Sequence, residues 1–247
     1  MSSCGACIDG IEPPFPFTMA FQPVIDIEQR SIFAYEALVR GVDGAGAGTV
    51  LARITPENRY SFDQSCRVKA IELAARLGLV ATGAALSINF LPNAVYEPAA
   101  CIQATLKTAR ATGFPVDRIM FEVTGGEHVG DTDHLKAILD EYHHQGFVTA
   151  IDDFGAGYAG LNLLAEFQPD LLNIDMALTR GIEGSAVRRA IVEGVVGICQ
   201  RLGIRVVAEG IETVEELACL RDLGVRLVQG YLVARPEVER LPEPRFF

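Results

Sequence analysis

Two adjacent carboxylates end a run of residues with strong strand propensity. The segment VTAIDDFGAG occupies residues 148–157, and it places Asp152 and Asp153 between an apolar run and two glycines. Successive apolar residues are typical of a strand that is buried on both faces in a parallel sheet. Neighbouring carboxylates in such a place repel each other, and one or two divalent cations would relieve that repulsion. The alternative is that both residues are solvated and cap the next helix.

Oxygen-bearing side chains recur at the predicted ends of other strands. They are Glu36, Asn89, Glu122, Asp175, Glu209 and Gln229, in addition to Asp152 and Asp153. Carboxylate and amide oxygens suit hard cations such as Mg²⁺ and Mn²⁺. Two such ions that share a bridging carboxylate can activate water and stabilise an in-line phosphoryl displacement. The recurrence therefore predicts a two-metal site for phosphoester hydrolysis.

The segments between these residues predict strands that alternate with helices. Strands are expected at residues 19–27, 32–39, 85–90, 119–123, 147–151, 171–174, 205–208 and 227–233, and helices at 62–77, 99–111, 131–144, 158–167, 185–202 and 213–223. This alternation indicates right-handed βαβ units and a parallel sheet, and eight strands suit a closed α/β barrel. The link between the first two strands is too short for a crossover, so these two should be antiparallel.

The domain organisation is predicted to be simple. A tail at residues 1–16 precedes a single barrel domain at residues 17–247, because no linker or low-complexity segment interrupts the latter. The tail contains Cys4 and Cys7, which form half of a metal site at best. No second cysteine pair stands at ligand spacing, so the tail is interpreted as a flexible segment with two thiols.

Composition excludes several classes of protein. The formal net charge of −11 argues against a basic face for long nucleic acids, but it is compatible with a small anionic ligand bridged by metal. No uncharged apolar run reaches about 18 residues, so no membrane span is expected. The N-terminus lacks the basic start and apolar run of a signal peptide, so we expect a cytoplasmic protein with reduced cysteines.

The same residues stand in a set of short motifs. These are EALVR at 36–40, SIN at 87–89, FEVT at 121–124, IDDFGAGY at 151–158, AEGIET at 208–213 and VQGY at 228–231. Together they resemble the EAL domain family of cyclic di-GMP phosphodiesterases over residues 17–236. The resemblance implies a modified TIM (β/α)8 barrel with an antiparallel first strand. It also implies two Mg²⁺ or Mn²⁺ ions and hydrolysis of cyclic di-GMP to linear pGpG.

The resemblance further implies a role for each matching residue. The metal ligands would be Glu36, Asn89, Glu122, Asp152, Asp153 and Glu209. The catalytic residues would be Glu36, Asp153, Glu209 and Gln229. The dinucleotide would contact Gln22, Leu38, Arg40, Asp175 and Glu212, with Arg40 on a phosphate and Glu212 on the guanine side.

Two positions depart from the family pattern. Asn173 stands where the family has a catalytic lysine, and Gly125 stands where it has a glutamate that holds the loop after Asp153. Glu127, two residues later, is a candidate substitute for that glutamate. These departures predict weakened turnover and leave two alternatives open. One is a catalytically impaired cyclic di-GMP receptor, or a regulatory domain that acts through protein partners. The other is an interaction domain that no longer binds the nucleotide. The sequence allows a homodimer and does not identify a protein partner.

Overall fold

The computed structural model describes residues 13–124, 132–156 and 161–247, and the strands of these segments form one closed sheet. In chain order they are β1 (Thr18–Asp26), β2 (Ser31–Arg40), β3 (Ala85–Phe90), β4 (Ile119–Thr124), β5 (Val148–Phe154), β6 (Leu171–Ile174), β7 (Arg205–Ala208), β8 (Leu227–Val228) and β9 (Glu237–Val238). Strands β2 to β8 pair in sequence order, each parallel to the next. Strand β1 lies between β8 and β2 and is antiparallel to both, which closes the barrel. The predicted α/β barrel with an antiparallel first strand is confirmed.

Helices occupy most of the connections between these strands. They are α1 (Ala47–Leu51), α2 (Arg59–Arg76), α3 (Leu79–Thr82), α4 (Pro98–Cys101), α5 (Gln103–Thr112), α6 (Thr132–His144), α7 (Leu161–Glu166), α8 (Met176–Thr179), α9 (Ala186–Leu202) and α10 (Val214–Asp222). Helix α10 begins at a capping box, as its sequence predicts: the Thr213 side chain accepts the Glu216 N–H, and the Glu216 side chain accepts the Thr213 N–H.

Three element predictions need correction. The last strand was expected at 227–233, but β8 ends at Val228, and the chain then turns with the Leu232 N–H donating to the Ile211 carbonyl and the Val233 N–H to the Gly230 carbonyl. The helix expected at 99–111 is divided into α4 and α5. Strand β9, which pairs with the outer part of β1, was not predicted, because a two-residue strand has no periodicity to detect.

An apolar layer fills the interior of the barrel. Its members come from β1, β2 and β4 to β8, and they are Val24, Ala34, Met120, Ala150, Leu171, Val207 and Leu227. A larger cluster packs the outer face of the sheet against the helices. Successive side chains of a strand point to opposite faces. The side chain two residues away from each member of the apolar layer therefore faces the interior again. The positions two residues away therefore decide what lies above this apolar layer.

Within the described residues, no helix has both the length and the apolar composition that crossing a bilayer requires.

Candidate active site

A polar layer lies directly above the apolar layer of the barrel. Each polar residue is two positions from an apolar one on the same strand. With the apolar residue first, the pairs are Val24–Gln22, Ala34–Glu36, Met120–Glu122, Ala150–Asp152, Leu171–Asn173, Val207–Glu209 and Leu227–Gln229. Strand β1 runs in the opposite direction, so its polar residue precedes the apolar one. The period of two along each strand thus brings residues from distant parts of the chain to one end of the barrel.

Several of these residues lie inside strands rather than at strand ends. Glu36 is followed by four more residues of β2, because this strand continues alongside the antiparallel β1. Glu122 and Asp152 also lie within β4 and β5. The predicted convergence is present, but its position relative to the strand ends is corrected.

Asp152 and Asp153 face the same site although they are neighbours in a strand. The backbone φ of Asp153 is 54°, and the β5–β6 register shifts between Ile151 and Phe154. This left-handed conformation is uncommon for residues other than glycine and breaks the alternation of a regular strand. The Asp153 N–H donates to Asp152 Oδ1 at 2.8 Å. One ligand atom each from Asp152, Asp153 and Glu209 then lie within 4.8 Å of one another.

Two amides orient the Glu36 carboxylate. Asn89 Nδ2 donates to Glu36 Oε1, and Gln229 Nε2 donates to Glu36 Oε2, each at 2.8 Å. The Asn89 Oδ1 atom is buried and has no hydrogen-bond partner among the described residues. This amide therefore fixes the carboxylate with its nitrogen and presents its oxygen as an unused acceptor.

Asn173 bridges two other carboxylates. Its Nδ2 atom donates to Glu122 Oε1 at 3.0 Å and lies 3.3 Å from Asp152 Oδ1. The side chain is 2% exposed, so this is a buried polar contact. Glu122 Oε2 is buried without a partner in the part of the chain that the structure describes. The position that the resemblance assigns to a lysine is thus occupied by a neutral donor.

The carboxylates of the site oppose one another's ionisation. Burial, followed by the charges of Glu36 and Asp152, raises the pKa of Glu122 well above its usual range. Burial, with Glu36 and Asp153 nearby, raises the pKa of Asp152 to about 7. Desolvation and the surrounding carboxylates also raise the pKa of Glu209 well above its usual range. An isolated cluster of this kind lacks a counter-charge.

The donor set fits a hard divalent cation. Every available atom is a carboxylate or amide oxygen, as Mg²⁺, Mn²⁺ and Ca²⁺ require. Buried acceptors normally have a partner, and two of these, Asn89 Oδ1 and Glu122 Oε2, have none among the described residues. A cation would both satisfy these oxygens and favour the ionised carboxylates. The geometry therefore supports divalent-metal binding by this cluster.

A cavity of about 480 Å³ opens above the polar layer. Most of the predicted site residues line it, namely Gln22, Glu36, Leu38, Asn89, Asp152, Asp153, Asp175, Glu209, Glu212 and Gln229. Gln22 Nε2 donates to the Ala234 carbonyl at 3.0 Å, and Asp175 caps α8 by accepting the Ala177 N–H at 2.8 Å. Arg40 lies just beyond this lining: its guanidinium donates to the Val39 carbonyl, and its charge lowers the pKa of Glu36, which burial raises overall.

Two cavity or site residues were not anticipated from the sequence. Ser87 is fully buried on β3, where its hydroxyl has no hydrogen-bond partner among the described residues and lowers the pKa of the nearby Glu122. The period of two from Ala85 is the signal that would have found it. Arg180 lines the cavity and forms an ion pair with Glu212. No sequence pattern marks Arg180, because it follows a four-residue helix. Cys4, Cys7, Gly125 and Glu127 lie outside the described residues.

Comparisons with known proteins agree with this geometry. The family model for the EAL domain matches residues 16–236. The blue light- and temperature-regulated antirepressor BluF of Escherichia coli (strain K12) is 29% identical over 94% of this chain and 57% of its own length. Cyclic di-GMP phosphodiesterase PA2567 of Pseudomonas aeruginosa is 28% identical over 92% of this chain and 39% of its own length. The chain thus spans about half the length, or less, of these curated relatives.

Solved structures agree more closely. A standalone versatile EAL protein from Vibrio cholerae O395, in a c-di-GMP bound form, is 49% identical with a TM-score of 0.91, over 95% of this chain and 98% of that one. Klebsiella pneumoniae BlrP1, in a manganese and cyclic di-GMP complex, is 38% identical with a TM-score of 0.86, over 95% of this chain and 59% of that one. Because the family model covers most of the sequence and the barrel presents the matching residues in one cavity, this chain belongs to the EAL domain family.

Proposed function

We propose that this chain is a divalent-metal-dependent phosphodiesterase that hydrolyses cyclic di-GMP to linear pGpG. The observation that carries the proposal is the convergence of five carboxylates beneath a cavity of about 480 Å³, where Glu122 Oε2 and Asn89 Oδ1 are buried without a partner among the described residues. Membership of the EAL domain family supports the substrate and the reaction. The names of relatives such as PA2567 agree with both.

The residues of the polar layer would hold two cations, which we propose to be Mg²⁺ or Mn²⁺. Their ligands would be Glu36, Asn89, Glu122, Asp152, Asp153 and Glu209. When bound, the cations would lower the pKa of a water molecule and neutralise charge on the phosphoryl oxygens. The oxygen-only donor set supports both metals, and BlrP1 has been solved with manganese.

The chain's own groups would then guide the hydrolysis of one phosphodiester bond. The water oxygen forms a bond to phosphorus, one phosphodiester P–O bond breaks, and the water proton ends on the leaving oxygen. Asp153 would hold and orient the attacking water, and Glu209, which has a carboxylate oxygen within 4.8 Å of one on Asp153, would receive a proton. Gln229 would orient water with its amide, whose nitrogen is already fixed on Glu36 at 2.8 Å. Glu36 is in turn held by two amides, so its direction is set before substrate binds.

The substrate contacts stay as proposals. Gln22, Leu38, Asp175 and Glu212 line the cavity, which supports contacts between these residues and a bound dinucleotide. Arg40 donates one guanidinium N–H to the Val39 carbonyl, and its other N–H groups would be donors to a phosphate.

An assay with purified protein tests the proposal. Cyclic di-GMP and Mn²⁺ or Mg²⁺ should give pGpG at a measurable rate, and EDTA should abolish it. Asp152→Asn should bind the nucleotide in Ca²⁺ more weakly than the wild type and give no turnover in Mn²⁺. If the wild-type protein neither binds nor hydrolyses cyclic di-GMP in the presence of these metals, the proposal is wrong.

A receptor or regulatory domain is the second candidate. Asn173 favours it, because a neutral amide replaces a charged donor beside the carboxylates of the proposed metal site. The name of BluF, an antirepressor, agrees with an EAL protein that acts on a protein partner. Tight binding of cyclic di-GMP without release of pGpG would establish this alternative. Absence of nucleotide binding would instead favour the pure interaction domain.

Localisation and assembly also remain proposals. We propose a cytoplasmic protein that does not bind long nucleic acids, in line with its net charge of −11. We also propose a homodimer, because α9 presents Val187, Ile191, Ile198 and Leu202, all more than a third exposed, on one helical face. Sedimentation equilibrium of the wild type and of Ile191→Asp tests this assembly: a dimer that persists unchanged in the variant would exclude this face.

A further inference from the structure

The Glu216 carboxylate connects two loops at the rim of the cavity. Its Oε2 atom accepts the N–H groups of Glu212 at 2.9 Å and Thr213 at 3.1 Å, both in the loop after β7. Its Oε1 atom accepts the Gly181 N–H at 2.8 Å, which belongs to the segment after β6. Glu216 is only 3% exposed. A buried carboxylate therefore satisfies backbone donors from two different βα connections.

Helix capping accounts for only part of this arrangement. A capping box requires the contact with the Thr213 N–H and the return bond from Thr213 Oγ1 to the Glu216 N–H, which is 3.1 Å long. It does not require Gly181, which is separated from Glu216 by 35 positions. The three backbone bonds also outweigh burial and lower the pKa of Glu216, so the carboxylate stays ionised at neutral pH.

The segment that Gly181 ends is packed closely against the β7 loop. Thr179 Oγ1 donates to the Glu209 carbonyl at 2.5 Å, so the segment contacts the backbone of a proposed metal ligand. Gly210, with φ of 70°, approaches Met176 so closely that a Cβ at this glycine would lie 2.4 Å from the Met176 Cβ. Residues 176–181 therefore pack against residues 209–213. The hydrogen bond from the Gly181 N–H to Glu216 lies at one end of this interface.

The result of this packing is an ion pair on the cavity wall. Arg180 directly precedes Gly181, and its guanidinium pairs with the carboxylate of Glu212. Both side chains line the cavity, and each is close to half exposed. Exposed ion pairs have little ability to hold their own geometry. The backbone bonds from Gly181 and Glu212 to Glu216 therefore constrain where this pair lies, together with the bond from Arg188 Nη1 to the Arg180 carbonyl at 2.7 Å.

We infer that Glu216 is a positioning residue for nucleotide recognition: it fixes the backbone of Gly181 and Glu212 so that Arg180 and Glu212 face the bound dinucleotide as one preformed unit. The inference rests on the proposed function for the identity of the ligand. It assigns no contact between Glu216 and substrate or metal. Removing the carboxylate should therefore weaken nucleotide binding while the metal cluster keeps its affinity.

The test compares Glu216→Ala with Thr213→Ala. Both variants lose part of the α10 cap, but only Glu216→Ala loses the bond to Gly181, so Thr213→Ala controls for helix destabilisation. Hydrogen exchange in the absence of ligand should accelerate at the Gly181 amide in Glu216→Ala and stay at the wild-type rate in Thr213→Ala. Calorimetry with Ca²⁺ present should show about a tenfold loss of cyclic di-GMP affinity in Glu216→Ala alone, as expected for one lost charge-assisted network. Titration with Mn²⁺ alone should give the wild-type affinity in both variants.

Each outcome decides a different question. Equal exchange and equal nucleotide affinity in the two variants would overturn the role of Glu216. A wild-type protein that binds no cyclic di-GMP would overturn the proposed function. The hydrogen-exchange result would still test whether Glu216 connects the two loops. If Glu216→Ala does not fold, Glu216→Gln, which keeps one acceptor oxygen, takes its place with the same measurements. Wild-type exchange at both the Gly181 and the Glu212 amides, with wild-type affinity, would then count against the inference, because the single amide oxygen of Gln cannot take the place of both carboxylate oxygens.

Discussion

At the scale of single residues, Asn173 is the position at which we expect turnover and nucleotide binding to separate. Its amide reaches Glu122 and Asp152, so the side chain still orders two carboxylates of the polar layer. What it lacks is a positive charge beside groups whose pKa values burial and mutual repulsion have raised. A longer, charged donor at this position would stabilise both the ionised carboxylates and the charge that develops during hydrolysis.

We therefore expect Asn173→Lys to raise kcat by about 100–1,000-fold, because one preorganised donor at a developing charge has an effect of this order. Cyclic di-GMP affinity in Ca²⁺ should change much less, since we expect metals, Arg40 and base contacts to hold the ligand. Steady-state kinetics and calorimetry on the same preparations provide the comparison. An unchanged rate, together with a structure in which the new ammonium reaches Asp153, would contradict the expectation.

Asp152 is the residue on which the metal assignment depends most. It lies among Glu36, Asp153 and Glu209, and we propose that it is shared by both cations. Asp152→Asn should reduce Mn²⁺ affinity about 100-fold or more, because a shared anionic ligand becomes neutral. Asp140→Asn is the matched control, since Asp140 is exposed and pairs only with Lys136 on α6 among the described residues. Equal Mn²⁺ affinity in the two variants, measured by calorimetry, would exclude the assignment.

At the scale of elements, a buried ion pair attaches α2 to the strands that carry the site. Arg67 Nη2 lies 2.7 Å from Asp63 Oδ2, and both side chains are almost fully buried. Asp63 Oδ1 accepts the Leu91 N–H at 2.9 Å, just beyond the end of β3. Arg67 Nη1 donates to the Tyr142 hydroxyl of α6 at 2.5 Å. This pair thereby joins two helices to the strand that delivers Asn89.

We expect Arg67→Met to lower the free energy of unfolding by about 3–5 kcal/mol, because it leaves the Asp63 carboxylate buried without its partner. Arg76→Met serves as control: Arg76 pairs with Glu239 at the surface, and such a pair contributes about 0–1 kcal/mol. Urea unfolding of both variants measures the difference. Equal midpoints and slopes for the two variants would show that the buried pair does not stabilise the fold.

At the scale of the whole molecule, the carboxylate cluster makes stability depend on pH and on metal. The pKa of Asp152 is about 7 in the folded protein, against 3.8 for an ordinary aspartate. Between these values the folded chain retains a proton that the unfolded chain has released. The folded state binds more protons there, so the stability of the metal-free protein falls as pH rises from about 4 to about 7.

In EDTA, the melting temperature should accordingly be higher at pH 6 than at pH 8. Each carboxyl group of this kind contributes at most about 1.4 kcal/mol per pH unit, and solvent relaxation reduces that figure. Saturating Mn²⁺ should raise the melting temperature more at pH 8 than at pH 6, because the metal binds the ionised carboxylates and competes with protons. Calorimetric scans at both pH values test this. A metal-free protein that gains stability from pH 6 to pH 8, in parallel with its Asp152→Asn variant, would refute the linkage.

The sequence by itself determined the barrel and most of the site. Alternating strands and helices predict a parallel sheet, and the short link after residue 26 requires an antiparallel first strand. The same period of two that places Ala34 and Met120 in the apolar layer places Glu36 and Glu122 above it. These conclusions follow from local patterns, which is why the sequence carries them. The residue range of the domain and the fate of the N-terminal tail stay predictions.

The tertiary structure decided what depends on contacts between distant segments. Strand periodicity would send Asp152 and Asp153 to opposite faces, and only the left-handed backbone of Asp153 turns both toward Glu209. The sequence marks Glu216 as a helix cap, but its bond to Gly181 exists because two connections meet at the rim of the barrel. Such contacts depend on how separate elements pack in three dimensions, and no periodicity in the sequence encodes them.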